Sequence, residues 1–233
     1  MCFGPVIAIP FYQLGGYIAP FLAFAVVFTI YSVTIKPIIP PEVDELKEVE
    51  IDISRFSYKD MLTNRRILFA NFALLVNIFQ YTFIDPFLAN RMTQDFDLGA
   101  KSASLLFFIL GLGYAGACQG VHLTLKHISF RRCFFIFFIL NGLCTLMYGP
   151  TQLLPMPNSL ALIAVFMFLG GVTSAHTIVP TLPEILEAGR TEINYPPEVL
   201  NDLSSGLFNM SFAFGEILGP LMGNYLYVEN GMK

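Results

Sequence analysis

Long apolar runs separated by short polar stretches set the plan of this chain. They predict seven helices, at about 2–14, 17–35, 66–90, 100–123, 133–149, 159–187 and 204–228. A helix needs roughly 20 apolar residues to cross a hydrocarbon core of ~30 Å, and all but the first are of that order. The first is too short, and Gly15-Gly16 separates it from the second, which carries Pro20 in its first turn. Residues 36–64, "KPIIPPEVDELKEVEIDISRFSYKDMLTN", break the pattern. Prolines followed by mixed charge read as a solvated linker with room for a short surface helix. Asn64 is the expected N-cap of the helix that follows.

Composition turns these runs into membrane spans. The chain is 55% hydrophobic and 13% charged, with 24 phenylalanines, and a soluble domain of this size would need a more charged surface. The fold class expected is an all-α polytopic membrane protein. Net charge is −4 with no basic patch, which argues against a nucleic-acid partner. Cys2, Cys118, Cys133 and Cys144 are scattered, so they read as apolar filler rather than metal ligands or a disulfide framework. Met1 runs into apolar sequence without a basic leader, so no cleavable signal peptide is expected. Lys36, Lys47, Arg55, Lys59, Arg65, Arg66, Lys126, Arg131, Arg132 and Arg190 fall on one set of loops, while the opposite loops carry Arg91 and Lys101. Positive residues stay inside, so 36–64 and the loops at 124–132 and 188–203 are expected to be cytoplasmic.

Polar residues inside the spans point to function. "VTSAHTIVPTLPEIL", residues 172–186, places Thr173, His176, Thr177, Pro180, Thr181 and Glu184 within about 140° of one helix face. Such a stripe should face the protein interior rather than lipid. Pro180 and Pro183 free carbonyls about four residues earlier and should open the helix there. The bland alternative is that His176 and Glu184 simply bond to neighbouring helices. In the third span Asn77, Gln80, Tyr81 and Asp85 share a face, and Pro86 follows the acid; a salt bridge from Asp85 to Arg91 is the competing reading. Ser205, Asn209 and Glu216 align in the last span. Gly116 and Gly120 have G-x-x-x-G spacing, which suggests close helix packing or a gate. The ionisable groups within the spans are Asp85, Glu184, Glu216 and His176, with no lysine or arginine near mid-span. Acids where water is scarce attract cations, and a carboxyl group there can hold either a proton or an ammonium. An enzyme is not expected: no nucleophile triad, metal cluster or phosphate loop is present, and no cofactor or metal is implied.

An internal repeat suggests a larger plan. "GPVIAIPFYQLGG" from Gly4 and "GPLMGNYLYVENG" from Gly219 share a pattern that matches Pro5 with Pro220, Tyr12 with Tyr227 and Gly16 with Gly231. Six spans separate the two copies, as in transporters built from six-helix repeats. The Gly-Pro element, "FIDPFLANRM", "IVPTLPEIL" and "SSGLFNMSFAFGEILGPLMGNYLY" together resemble the vesicular amine transporters of the major facilitator superfamily, especially the polyamine branch. That resemblance implies an N-terminally truncated chain running from the fifth to the eleventh helix of a six-helix-repeat bundle. Residues 1–35 would end the N-terminal bundle, 36–64 would be the cytoplasmic linker, 65–228 the C-terminal bundle and 229–233 an extracytoplasmic loop. It further implies proton-coupled antiport of organic cations across an endomembrane or vesicle membrane. Asp85, Tyr81, Asn77, Glu216 and Asn209 would bind substrate, and Glu184 with His176 would couple protons. Two positions depart from the family pattern. "GVHLTLKHISFRR" lacks the usual loop acid, and no aspartate stands near Asn209. A non-transporting relative that serves as a structural or partner-binding membrane subunit is the alternative, and a missing N-terminal half is a further expected partner.

Overall fold

The computed structural model describes residues 4–38, 56–98, 100–149 and 157–230, and every regular element among them is helical. Cys2, Gly231, most of the linker and most of the 150–158 loop lie outside these residues. The chain forms two compact units, Met1–Ile53 and Ser54–Lys233.

In the first unit, α1 (Gly4–Gly15) and α2 (Ile18–Ile38) are separated where the sequence predicts. Gly16 adopts φ +66°, a left-handed conformation that costs other residues a steric penalty, and its N–H donates to Tyr12 O at 2.9 Å. Gly4 and Pro5 open α1.

The second unit begins with α3 (Tyr58–Thr63), the short linker helix. It does not float on the surface. Met61 is fully buried in a cluster with Ile67, Ala70, Ile185, Ala188, Leu200 and Leu207. Asn64 then caps α4 (Arg65–Gln94) as expected, accepting from the N–H groups of Arg66 at 2.9 Å and Ile67 at 3.1 Å.

Next come α5 (Ala100–His127) and α6 (Phe130–Leu146). The joint between them is shorter than the charge pattern suggests, because Lys126, Arg131 and Arg132 lie inside the helices. Lysine and arginine are good helix formers, so they mark the bilayer edge rather than the helix end.

The predicted helix at 159–187 is two helices, α7 (Leu160–Ile178) and α8 (Thr181–Ala188), parted at Val179-Pro180 where proline removes backbone bonding. A π-turn over Gly189–Ile193 follows, closed by Asn194 at φ 63°. The last helix, α9 (Pro197–Asn230), starts at Pro197 rather than near 204, since proline suits a first helical turn and Glu198 complements its positive end.

Ile18–Ile35, Arg65–Gln94, Ser102–His127 and Leu160–Ile193 are long and apolar enough to cross a membrane.

Two glycine seams bring the helices together. On α9, Gly215, Gly219 and Gly223 recur every four residues along α4. A Cβ at Gly215 would stand 2.8 Å from Ile78 Cβ, one at Gly219 would meet Thr82 Oγ1, and one at Gly223 would stand 2.8 Å from Phe83 O. The contacts climb both helices in the same direction, so α4 and α9 run parallel. A second seam sets Gly113 of α5 against Phe168 and Gly171 of α7 against Leu110 and Tyr114. The close packing expected at Gly116 and Gly120 is therefore made elsewhere: a Cβ at either would meet nothing within 4 Å. Gly219→Val should lower the melting temperature of the detergent-solubilised protein by several degrees, since overpacking a tight contact costs about 1–3 kcal/mol. Gly116→Ala should leave it unchanged or slightly higher. Equal melting of the two variants would contradict the seam.

Candidate substrate and proton site

The polar face predicted on α4 meets the polar stripe of α7 directly. Asn77 is fully buried, donating from Nδ2 to Thr177 Oγ1 at 2.6 Å and accepting at Oδ1 from Ser174 at 2.6 Å. Tyr81 lies one turn along, its hydroxyl 2.7 Å from Gly170 O and 3.1 Å from Asn141 Oδ1. Asn141 of α6 joins the three helices. Its Oδ1 accepts from Thr173 at 2.9 Å, and its Nδ2 donates to Gln80 Oε1 at 3.0 Å. Gln80 in turn donates to Thr145, which donates to Asn141 O at 2.8 Å. The Tyr148 hydroxyl is buried beside Gly170 and has no hydrogen-bond partner among the described residues. The sequence reading missed Asn141, Thr145 and Tyr148. A lone asparagine within "FFIFFILNGLCTL" was the available signal.

The stripe of α7 thus faces inward as predicted, but its groups are already bonded. His176 stacks on Phe137 with ring centroids 3.9 Å apart and planes at 9°. Its Nδ1 donates to Val172 O at 2.9 Å, leaving Nε2 for Thr124 Oγ1 at 3.1 Å. Glu184 is not a free acid. Its carboxylate takes the Arg66 Nε–H, and the same guanidinium reaches Glu192 Oε1 at 3.4 Å. Arg66 sits at the first turn of α4, away from mid-span, where α8 packs against it.

Arg91 also lies elsewhere than the salt-bridge reading placed it. It bonds Asp95 at 3.2 Å, Asn158 at 2.6 Å and the Tyr148 carbonyl, clamping the ends of α4, α6 and α7 together. Asp85 is left exposed, with no hydrogen bond or ion pair among the described residues, and half-buried Glu216 is in the same position.

The two acids are neighbours in the fold. Thr82 donates to Gly215 O at 3.0 Å, so Asp85, three residues on, and Glu216, one residue on, lie within about a helical turn of the same level. By helical phase Asp85 points between the side of α4 facing α7 and the side facing α9. Glu216 turns to that same side of the parallel pair, with Asn209 about two turns before it and also exposed. Asp85, Glu216 and Asn209 thus share one side of the α4–α9 pair. Asn77 and Tyr81 are instead fasteners of α4 to α6 and α7.

A family model for the Major Facilitator Superfamily matches residues 1–188. The chain belongs to the major facilitator superfamily. Among its superfamily relatives are proteins called "MFS-type transporter SLC18B1". The one from Rattus norvegicus is 25% identical over 99% of this chain and 50% of its own length. The one from Homo sapiens is 26% identical over 94% of this chain and 49% of its own length, and the mouse protein is 24% identical. The chain thus spans about half the length of the relatives it matches. No solved structure matches it significantly.

Asn141 carries the tightest test of this geometry. Asn141→Leu should destabilise the solubilised protein by about 1–2 kcal/mol, because interhelical bonds in membranes average about 0.6 kcal/mol and this residue makes several. Asn209→Leu, which breaks none, should change the melting temperature little. A neutral Asn141→Leu would show that the network does not hold the helices.

Proposed function

We propose that this chain forms part of a membrane transporter that exchanges organic cations, polyamines being the class that fits best, for protons. The observation that carries the reading is the distribution of charge. Arg66 and Arg91 are bonded to acids at the two ends of the bundle, whereas Asp85 and Glu216 lie on one side of the α4–α9 pair with no cation bonded to either among the described residues. Two carboxylates at one level of a membrane span favour a ligand carrying two separated ammonium groups, each taking one acid. A proton can occupy the same carboxyl in the ligand's absence, which couples the two by competition. Similarity to relatives named as transporters supports the membrane-transport part of this reading.

Asp85→Asn and Glu216→Gln should each weaken spermidine binding by at least about tenfold, one ion pair's worth of affinity, without lowering the amount of folded protein. The double variant should bind no better than background. Spermidine affinity that survives in the double variant would sink the assignment, and Arg91→Ala distinguishes a structural effect because it should reduce folded protein.

Proton coupling through Glu184 and His176 requires the bond from Glu184 to Arg66 to open during the cycle. On this scheme Glu184→Gln permits substrate exchange and blocks uptake driven by a pH gradient, and His176→Ala slows that uptake and moves its pH optimum. Loss of folded protein in both Glu184→Gln and Arg66→Ala, with gradient-driven uptake intact per folded molecule, would make the pair a fastener instead.

A further inference from the structure

A second site lies at the other end of the helices from Arg91. The starts of α4, α6 and α8 and the π-turn after α8 border a half-open cavity of about 720 Å³, lined by Arg65, Arg66, Arg131, Phe69, Phe130 and Phe134 together with Glu184 and Glu192. Its charges do not cancel. Both carboxylates are committed to Arg66, while Arg65 and Arg131 are exposed and have no hydrogen bond or ion pair among the described residues. Ser129, the N-cap of α6, lines the same cavity and makes no capping bond with its side chain. Two guanidinium groups, a free hydroxyl and an aromatic wall therefore converge at one end of the membrane spans.

We infer that this cavity binds the phosphate headgroup of an anionic phospholipid. Arginine forks match phosphate oxygens, and basic pockets between spans at a bilayer edge suit such headgroups. The surface beyond the cavity specifies a lipid rather than a soluble anion. On α4, Arg65 heads an exposed stripe continued by Phe69, 65% exposed, and Phe72, 59% exposed, at helical spacing. On α6, Arg131 stands one turn before Phe135, 69% exposed. Each unpaired arginine thus sits above apolar surface running toward the bilayer centre, where an acyl chain attached to the bound phosphate would lie. Bound there, the lipid would bridge α4 and α6 beside the bond from Arg66 to Glu184.

The test is a titration of the detergent-solubilised chain with dioctanoyl phosphatidylglycerol, dioctanoyl phosphatidylcholine and inorganic phosphate, followed by thermophoresis. Phosphatidylglycerol should bind best. Arg65→Gln and Arg131→Gln should each weaken it about fivefold, and the double variant about 30-fold, from roughly 1 kcal/mol per basic residue at a membrane surface. Arg132→Gln, a neighbouring charge outside the cavity, should have no effect. Melting curves report whether each variant is folded, and Arg65→Lys with Arg131→Lys should retain most of the affinity. Equal affinity for the two lipids, or a double glutamine variant that binds as the parent does, would overturn the proposal. Inorganic phosphate binding as tightly as phosphatidylglycerol would overturn the lipid assignment.

Discussion

Inside a bilayer a polar side chain has no water to fall back on, so it must find its partner on another helix. Asn77 and Asn141 turn that constraint into architecture. Each carries both an amide donor and an acceptor, and each spends both across an interface, Asn77 on α7 and Asn141 on α4 and α7. Lipid tails are as apolar as leucine, so burial of apolar surface does little to draw helices together there. Hydrogen bonding and close contact do that work instead, which is why the second unit is organised around an uncharged network and two glycine seams.

That network also decides which groups remain available for chemistry. Side chains that look like ligands in sequence, such as Asn77, Tyr81 and Thr177, are occupied in holding α4 to α6 and α7. Asp85, Glu216 and Asn209, on one side of the α4–α9 pair, make no such bonds among the described residues. Charge follows the same division. Arginine is used at the bundle ends, where Arg66 meets Glu184 and Glu192 and Arg91 meets Asp95 and two loop acceptors. Asp85 and Glu216, with no counter-cation among the described residues, lie between those ends. On the reading proposed here, acids in the middle of the bundle make it electronegative, which would suit a cationic ligand.

The proline break gives this arrangement a joint. Thr177 bonds Asn77 just before Val179-Pro180, and Glu184 bonds Arg66 just after it. Both bonds reach the same helix, α4, from opposite sides of the break. Below it, α8 and the π-turn share a buried cluster with α3, where Tyr195 donates to Asp60 at 2.9 Å and Asn64 donates to Glu192 at 2.7 Å. The end of the linker is thereby tied to the part of the α7–α8 span that proline has uncoupled from the rest.

The sequence by itself determined the elements that depend on local chemistry and on the bilayer as solvent. Apolar run length set four helices long and apolar enough to cross a membrane, Gly15-Gly16 and Pro180 set the breaks, Asn64 set the cap of α4, and the stripe from Thr173 to Thr181 had to turn inward. Those signals are legible because each acts over a few residues. Helix ends were less legible: Lys126, Arg131 and Pro197 are helical although charge and proline suggest loop, since solvent exposure and backbone conformation are separate questions. Partner choice lay wholly in the tertiary structure. Nothing local distinguishes Glu184, bonded to a guanidinium 118 positions away, from Asp85, which bonds none among the described residues. Nor does spacing tell Gly116 and Gly120, which face open space, from Gly215 and Gly219, which seat against α4. Hydrogen bonds, ion pairs and close contacts between helices depend on which faces meet, and one helix's sequence does not contain the phase of its neighbour.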